Sequence, residues 1–277
     1  ICISLALGTI ITMAIQSSSA TTVMIVGLVN SGIMDFSQTL HVIFGANIGT
    51  TITAWILSLA GIESDAVWMQ MLKPKNFSLI FAMVGVIMTM ACKNDRKRSV
   101  GAVLVGFAVL IFGMDLMSDA MSPLADSPAF AQLMTKFNQP LVGLAVGTVV
   151  TAIIQSSSAS VGMLQALSLT GGISCGMAIP IIMGQNIGTT VTAMLSSIGT
   201  NKNAHRAAVV HLMFNVIGVV VVLTLFCLVK LIFAPEIFNE PATMYGIALA
   251  HSAFNILCTA MLLPAGGWLE KLAIRMV

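Results

Sequence analysis

The chain has 277 residues, 57% of them hydrophobic and only 8% charged, with a formal net charge of +2. A soluble domain carries roughly 25% charged residues, so a water-covered fold of this size is excluded and an all-α polytopic membrane protein is expected, with the lipid bilayer as its surroundings. The Lys and Arg sit in short loops between apolar runs, which makes no nucleic-acid surface, and no ~10-residue alternating segments of a membrane β-barrel are visible.

Residues 1–15 are apolar, Gln16, Ser17, Ser18 and Ser19 are polar, and residues 20–29 are apolar again before Asn30-Ser31-Gly32. Neither arm reaches the roughly 20 residues that a spanning helix needs. Stretch 1–30 is therefore either one spanning helix with a polar belt or a re-entrant hairpin with QSSS at its tip. The chain starts at Ile1, already inside an apolar run, so its natural N-terminus is expected to lie upstream. Residues 39–60 are long enough to cross but contain Gly45-Ala46-Asn47-Ile48-Gly49. Glycine weakens a helix interior by about 1 kcal/mol relative to Ala, so a discontinuous helix, unwound at this string, is expected. After a polar connection come crossings at 77–92 and 100–117, separated by the charged run KNDRKR at 93–98. A connector at 123–140 follows the first half, 1–122.

The same order then returns. A hairpin at 141–169 carries Gln155, Ser156, Ser157 and Ser158 at its tip. A discontinuous helix at 173–198 surrounds Gly184-Gln185-Asn186-Ile187-Gly188, and helices at 209–233 and 244–263 complete the second half, 141–277, before an interfacial tail. The copies are offset by 139 residues without a gap, and residues 8–54 match 147–193 at 21 of 47 positions. The identities concentrate in the polar strings QSSSA and NIGTT, whereas core packing would preserve apolar positions. This is an internal repeat held by its polar residues.

Charge placement chooses between the two readings of QSSS. With hairpins, three crossings separate the strings, so the second copy is upside down relative to the first. Loops 93–98 and 202–206 and the C-terminal Lys271 and Arg275 then share one side, which collects 8 of the 12 Lys and Arg. The other side receives 7 of the 10 acidic residues, including Glu63, Asp65, Asp126, Glu236 and Glu240. Spanning strings would erase this bias. The basic side is cytoplasmic by the positive-inside rule. The expected fold is two inverted-topology repeats, each with a re-entrant hairpin, a discontinuous helix and two further transmembrane helices, which is the plan of a secondary transporter with its site near the midplane.

The polar strings suit such a site. Serine is a favoured N-cap, and the free N–H groups of a helix start bind anions. Two hairpin tips, Gln16 to Ser19 and Gln155 to Ser158, would supply neutral donors to an anion. Asn47, Thr50, Thr51, Asn186, Thr189 and Thr190 offer hard neutral oxygens for a small alkali cation. No Lys or Arg lies near either string, so bound cations would supply the charge that a desolvated anion lacks. His211 and Asn215 are four apart, as are His251 and Asn255, each pair on one helical face. They are read as bracing the scaffold around the site through interhelical hydrogen bonds rather than as direct ligands. The five cysteines have no paired spacing and are read as free thiols. The serines have no sequence-adjacent base and no metal-ligand spacing occurs, so an enzyme is not expected.

QSSSA with GANIGTT, duplicated as QSSSA with GQNIGTT and followed by HRAAVVHLMFN, resembles the sodium–phosphate cotransporter family, the type II group with bacterial members. The resemblance implies sodium-driven symport of inorganic phosphate by alternating access, in a plasma membrane such as a bacterial inner membrane. It implies phosphate at the QSSS residues and sodium at the NIGTT residues, with sodium as coupling ion and no cofactor. Family members usually have a further helix before the first hairpin, absent here. In some animal relatives an acidic residue follows the His of the HxxFN string, where Leu212 stands in this chain. Sulfate or arsenate in place of phosphate, or a non-transporting scaffold or sensor, are the alternatives.

Overall fold

The computed structural model describes residues 2–59, 74–125 and 139–277. The described residues are helical almost throughout. In chain order the helices are α1 (Cys2–Ile15), α2 (Ser18–Asn30), α3 (Phe36–Ser58), α4 (Pro74–Ala91), α5 (Asp95–Ala125), α6 (Pro140–Ile154), α7 (Ser157–Ser168), α8 (Cys175–Ser196), α9 (Lys202–Phe233), α10 (Met244–Leu262) and α11 (Gly266–Met276). Among the described residues α3, α8, α9 and α10 are long and apolar enough to cross a membrane. The expectations for Glu63, Asp65 and Asp126 concern residues outside the described set.

Local signals set the helix starts. Asn201 accepts the Ala204 N–H at 2.9 Å and Thr243 accepts the Gly246 N–H at 2.9 Å, so α9 and α10 open on capping side chains. Pro140 opens α6, where its missing N–H leaves nothing unsatisfied. Helix α9 begins seven residues before the expected 209, because capping by Asn201 carries it through a polar turn that hydropathy cannot see.

The discontinuous helices expected at 39–60 and 173–198 are not there: α3 and α8 run unbroken through GANIG and GQNIG. The glycines serve close approach instead. A Cβ on Gly45 would stand 2.0 Å from the Leu5 carbonyl oxygen of α1, and one on Gly8 2.0 Å from the Val42 carbonyl oxygen of α3. The second copy repeats this, with Gly184 at 2.1 Å from Leu144 O and Gly147 at 2.1 Å from Ile181 O. Backbones in membranes meet this closely where small residues line both helices. Glycine's helix penalty is therefore offset by packing, and the backbone stays hydrogen-bonded.

Each hairpin is also braced inside. Thr12 donates to the Thr21 hydroxyl at 3.1 Å between α1 and α2, and Thr151 to the Ser160 hydroxyl at 2.7 Å between α6 and α7. Thr151 is fully buried. Thr151→Val is expected to cost about 1–2 kcal/mol, because Ser160 loses a buried partner. The thermal midpoint of the purified protein should fall, and Thr151→Ser should recover most of the loss.

Further contacts knit the two copies together. At one end of the bundle the Asn201 N–H donates to Asn30 Oδ1 at 2.9 Å and its amide to the Asn30 carbonyl at 3.0 Å. At the other end the Gln165 amide donates to the carbonyls of Ala54 at 2.9 Å and Met244 at 3.0 Å, tying α7 to the end of α3 and the start of α10. Between the ends, the Phe44 and Phe214 rings, both fully buried, meet at 4.6 Å and join α3 to α9. Large apolar side chains remain exposed on the periphery, Ile3, Met90 and Leu231 among them. A patch this extensive suits a lipid-facing surface. Helix α11 packs through Leu269 and Ala273, both fully buried, against α9 and α3.

Candidate binding site at the paired hairpin tips

Helix α1 stops at Ile15, and the chain turns through Gln16, whose φ is 58°. Gln155 has the same φ of 58° at the end of α6. A non-glycine residue in this left-handed region carries about 1–2 kcal/mol of strain, and such strain clusters at ligand sites. The Gln16 side chain stays useful there: its amide donates to the Met13 carbonyl and its Oε1 accepts from the Thr53 hydroxyl at 2.7 Å. That bond sets the first tip beside α3, just past its NIGTT string. Gln155 holds its side chain exposed.

Ser17 and Ser156 are extended and cap the next helices, accepting the N–H of Ala20 at 3.1 Å and of Ala159 at 3.2 Å. The first N–H groups of a helix have no intrahelical acceptor, so each tip offers those of its first turn along with its hydroxyls. The two tips meet. Ser18 Oγ and Ser157 Oγ lie 3.5 Å apart, both side chains buried. Ser19 donates to the Gln155 carbonyl at 3.5 Å, and Ser158 donates to the Gln16 carbonyl at 3.4 Å. Adding 139 to Ser19 gives Ser158, and subtracting it from Gln155 gives Gln16, so exchanging the halves maps this pair of contacts onto itself. The predicted tip residues are thus brought together in one place, where neutral donors converge.

The NIGTT residues are buried on intact helices rather than on unwound backbone. The Asn47 and Asn186 amides donate to Ile43 O at 3.0 Å and Ile182 O at 2.8 Å. The hydroxyls of Thr50 and Thr189 donate to Ala46 O and Gln185 O, and those of Thr51 and Thr190 to Ile48 O and Ile187 O, at 2.7–2.9 Å. These hydrogens are spent on the helix itself, and the oxygens are left with lone pairs. Such a set accepts; it suits a cation as the tips suit an anion. Among the described residues no group of three or more His, Cys, Asp and Glu could hold a metal ion.

The interhelical hydrogen bonds expected of the His and Asn pairs are not formed among the described residues. Asn215 and Asn255 each donate to the carbonyl of their own His, four residues back, at 2.9 Å. Their Oδ1 atoms, both ring nitrogens of His211 and Nδ1 of His251 have no hydrogen-bond partner. Sequence reasoning missed Gln165. Its signal was there: the first copy has Val26 at the matching place, and a lone Gln in an apolar run marks a bond made elsewhere.

A family model described as Na+/Pi-cotransporter matches residues 2–119 and 109–261. The chain belongs to the Na+/Pi-cotransporter family. Among relatives, this family member is 29% identical over 252 residues to the uncharacterized protein YqeW of Bacillus subtilis, covering 90% of this chain and 76% of YqeW. It is 28% identical over 214 residues to YjbB of Escherichia coli, named as a candidate inorganic phosphate export protein, covering 77% of this chain and 37% of YjbB. It is 34% identical over 129 residues to the human sodium-dependent phosphate transport protein 2B, covering 43% of this chain and 19% of that protein. No solved structure matches the chain. Two of these relatives carry names for phosphate transport, and family membership and apolar helices together make this a multi-pass membrane protein.

Proposed function

We propose that this Na+/Pi-cotransporter family member carries inorganic phosphate across the plasma membrane coupled to sodium, by alternating access around the paired tips. The observation that carries the reading is the reciprocal meeting of Ser18 with Ser157, flanked by Ser19 on Gln155 and Ser158 on Gln16. Phosphate would bind between the tips, held by the hydroxyls of Ser17, Ser18, Ser19, Ser156, Ser157 and Ser158, by first-turn N–H groups and by Gln16 and Gln155 from the rim. Sodium would bind the acceptor oxygens of Asn47, Thr50, Thr51, Asn186, Thr189 and Thr190 and balance the anion's charge.

In this reading the halves are inverted and α1–α2 and α6–α7 are re-entrant. Two things support it. Helices of 12–15 residues reach only about 18–23 Å at 1.5 Å per residue, short of a ~30 Å hydrocarbon core. Helix α3 starts close after Asn30 and ends by Met244, whereas α8 starts beside the approach to α10 and ends by Asn201, against Asn30. The two equivalent helices thus run oppositely. The basic residues Lys202, Arg206, Lys271 and Arg275 would face the cytoplasm.

The test is accumulation of radiolabelled phosphate by proteoliposomes under an inward sodium gradient, with choline as the control cation and sulfate and arsenate as competitors. Sodium-dependent accumulation is expected. Uptake indifferent to sodium would sink the coupling, and binding without accumulation would favour a scaffold or sensor. Because one relative is named for export and another for sodium-dependent transport, reversing the gradient should reverse the net flux.

A further inference from the structure

Three buried polar side chains stand four residues apart on α10: His251, Asn255 and Thr259, at 2%, 0% and 4% exposure. Helical spacing puts them on one face. That face points into the bundle, since Ala248 and Leu262 along it are buried while Leu249, Ile256 and Leu257 away from it are exposed. His251 Nδ1, Asn255 Oδ1 and Thr259 Oγ1 have no hydrogen-bond partner among the described residues. The adjoining Ser252 differs, because it accepts the Trp55 indole N–H at 2.8 Å. Asn255 spends an amide hydrogen on the His251 carbonyl at 2.9 Å, which fixes the amide and presents Oδ1 as an acceptor. Oxygens buried in this way are unfavourable until a donor or a cation meets them.

The depth of the face identifies its ligand class. The Cys175 N–H donates to the Glu240 carbonyl at 2.9 Å and the Ala242 N–H to the Ile173 carbonyl at 2.8 Å, so the approaches to α8 and α10 lie side by side. Both helices leave from the same end and pack against each other. Asn186 and Asn255 each lie eleven residues past the first residue of their helix, and Thr190 and Thr259 each lie fifteen past it. The two Asn–Thr pairs therefore sit at matching depths, about 16 and 22 Å along at 1.5 Å per residue. The sequence echoes the match, with Asn255-Ile256 and Thr259 spaced as Asn186-Ile187 and Thr190 are. The Asn amides of both pairs bond back to their own helix in the same way.

We infer that Asn255 and Thr259 form a further cation subsite on α10, at the depth of the pair on α8, taking a partly dehydrated alkali ion of sodium's size through two neutral oxygens. His251 Nδ1 stands one turn away, placed to meet a water of the ion's shell. The subsite rests on the reading of the NIGTT strings as sodium ligands.

The test is a sodium chloride titration of the purified full chain, without phosphate and against choline chloride, followed by the thermal midpoint. Asn255→Leu removes the acceptor, Thr259→Val removes the hydroxyl at constant shape, and Thr259→Ser restores it. In the first two the sodium concentration for half-maximal stabilisation should rise about tenfold, as expected for losing a charged contact. Thr259→Ser should match wild type, and in choline the midpoint of Thr259→Val should not fall below that of wild type, since the hydroxyl it removes is buried without a partner. If Asn255→Leu fails to fold, the two Thr259 variants decide. Wild-type sodium dependence in Thr259→Val overturns the α10 subsite and leaves sodium coupling at the NIGTT strings intact. A wild-type protein with no sodium-specific shift overturns both.

Discussion

Alanine at both Ser18 and Ser157 is expected to abolish phosphate accumulation by proteoliposomes while leaving the folded protein intact. Each hydroxyl that bonds an anion contributes about 1.5–3 kcal/mol, which is roughly tenfold to a hundredfold in affinity. Each single change should therefore weaken uptake by about that factor, and the double change should remove it. The fold should tolerate both, because the caps at Ser17 and Ser156 are untouched and Ser18 and Ser157 approach each other only at 3.5 Å. Alanine is also a good helix former at the first turn. Phosphate uptake and the thermal midpoint, measured on the same preparation, separate the two effects. Wild-type uptake by the double variant would reduce the tips to packing devices.

Gly147→Ala should act in the opposite way, on the fold first. Its new Cβ would stand 2.1 Å from the Ile181 carbonyl oxygen and 3.1 Å from the Gln185 nitrogen, both backbone atoms of α8. No side chain can rotate aside, so α6 and α8 must part. Overpacking of a core usually costs about 1–3 kcal/mol, and a clash with backbone on one whole helix belongs at or above the top of that range. The readout is the fraction of monodisperse protein recovered in detergent, with its thermal midpoint. Gly27→Ala is the control. A Cβ there meets nothing within 4 Å, and the second copy already carries Ala166 at the matching place. Equal recovery of both variants would refute the close-approach account.

The candidate site was legible because its polar residues interrupt apolar runs twice at one spacing, and solvation cost leaves such residues few structural uses in a membrane. What misled was glycine, which has two meanings. Gly45 and Gly49 weaken a helix when taken alone and admit a neighbour when paired, and the pairing partner Gly8 lies 37 residues from Gly45. Only the fold puts Gly8 opposite Val42. The amide orientations of Asn47, Asn186, Asn215 and Asn255 were equally out of reach, since composition shows a donor and an acceptor but not which is spent on the helix. Asn215 and Asn255 spend an amide hydrogen on their own helix, where interhelical bonds were expected. Helix α11 was visible only as an interfacial tail, because its burial depends on Leu269 and Ala273 meeting helices distant in sequence.

A contact that maps onto itself when the halves are exchanged is the kind two identical subunits make. Ser18 against Ser157, with Ser19 and Ser158 each reaching across, leaves neither half with a complete set of donors. A gene for one half could have served such a site only by pairing its product with itself. Within one chain that need for self-assembly is absent, and each half can change alone. Val26 in one copy and Gln165 in the other, the latter bonded to Ala54 and Met244, record that freedom.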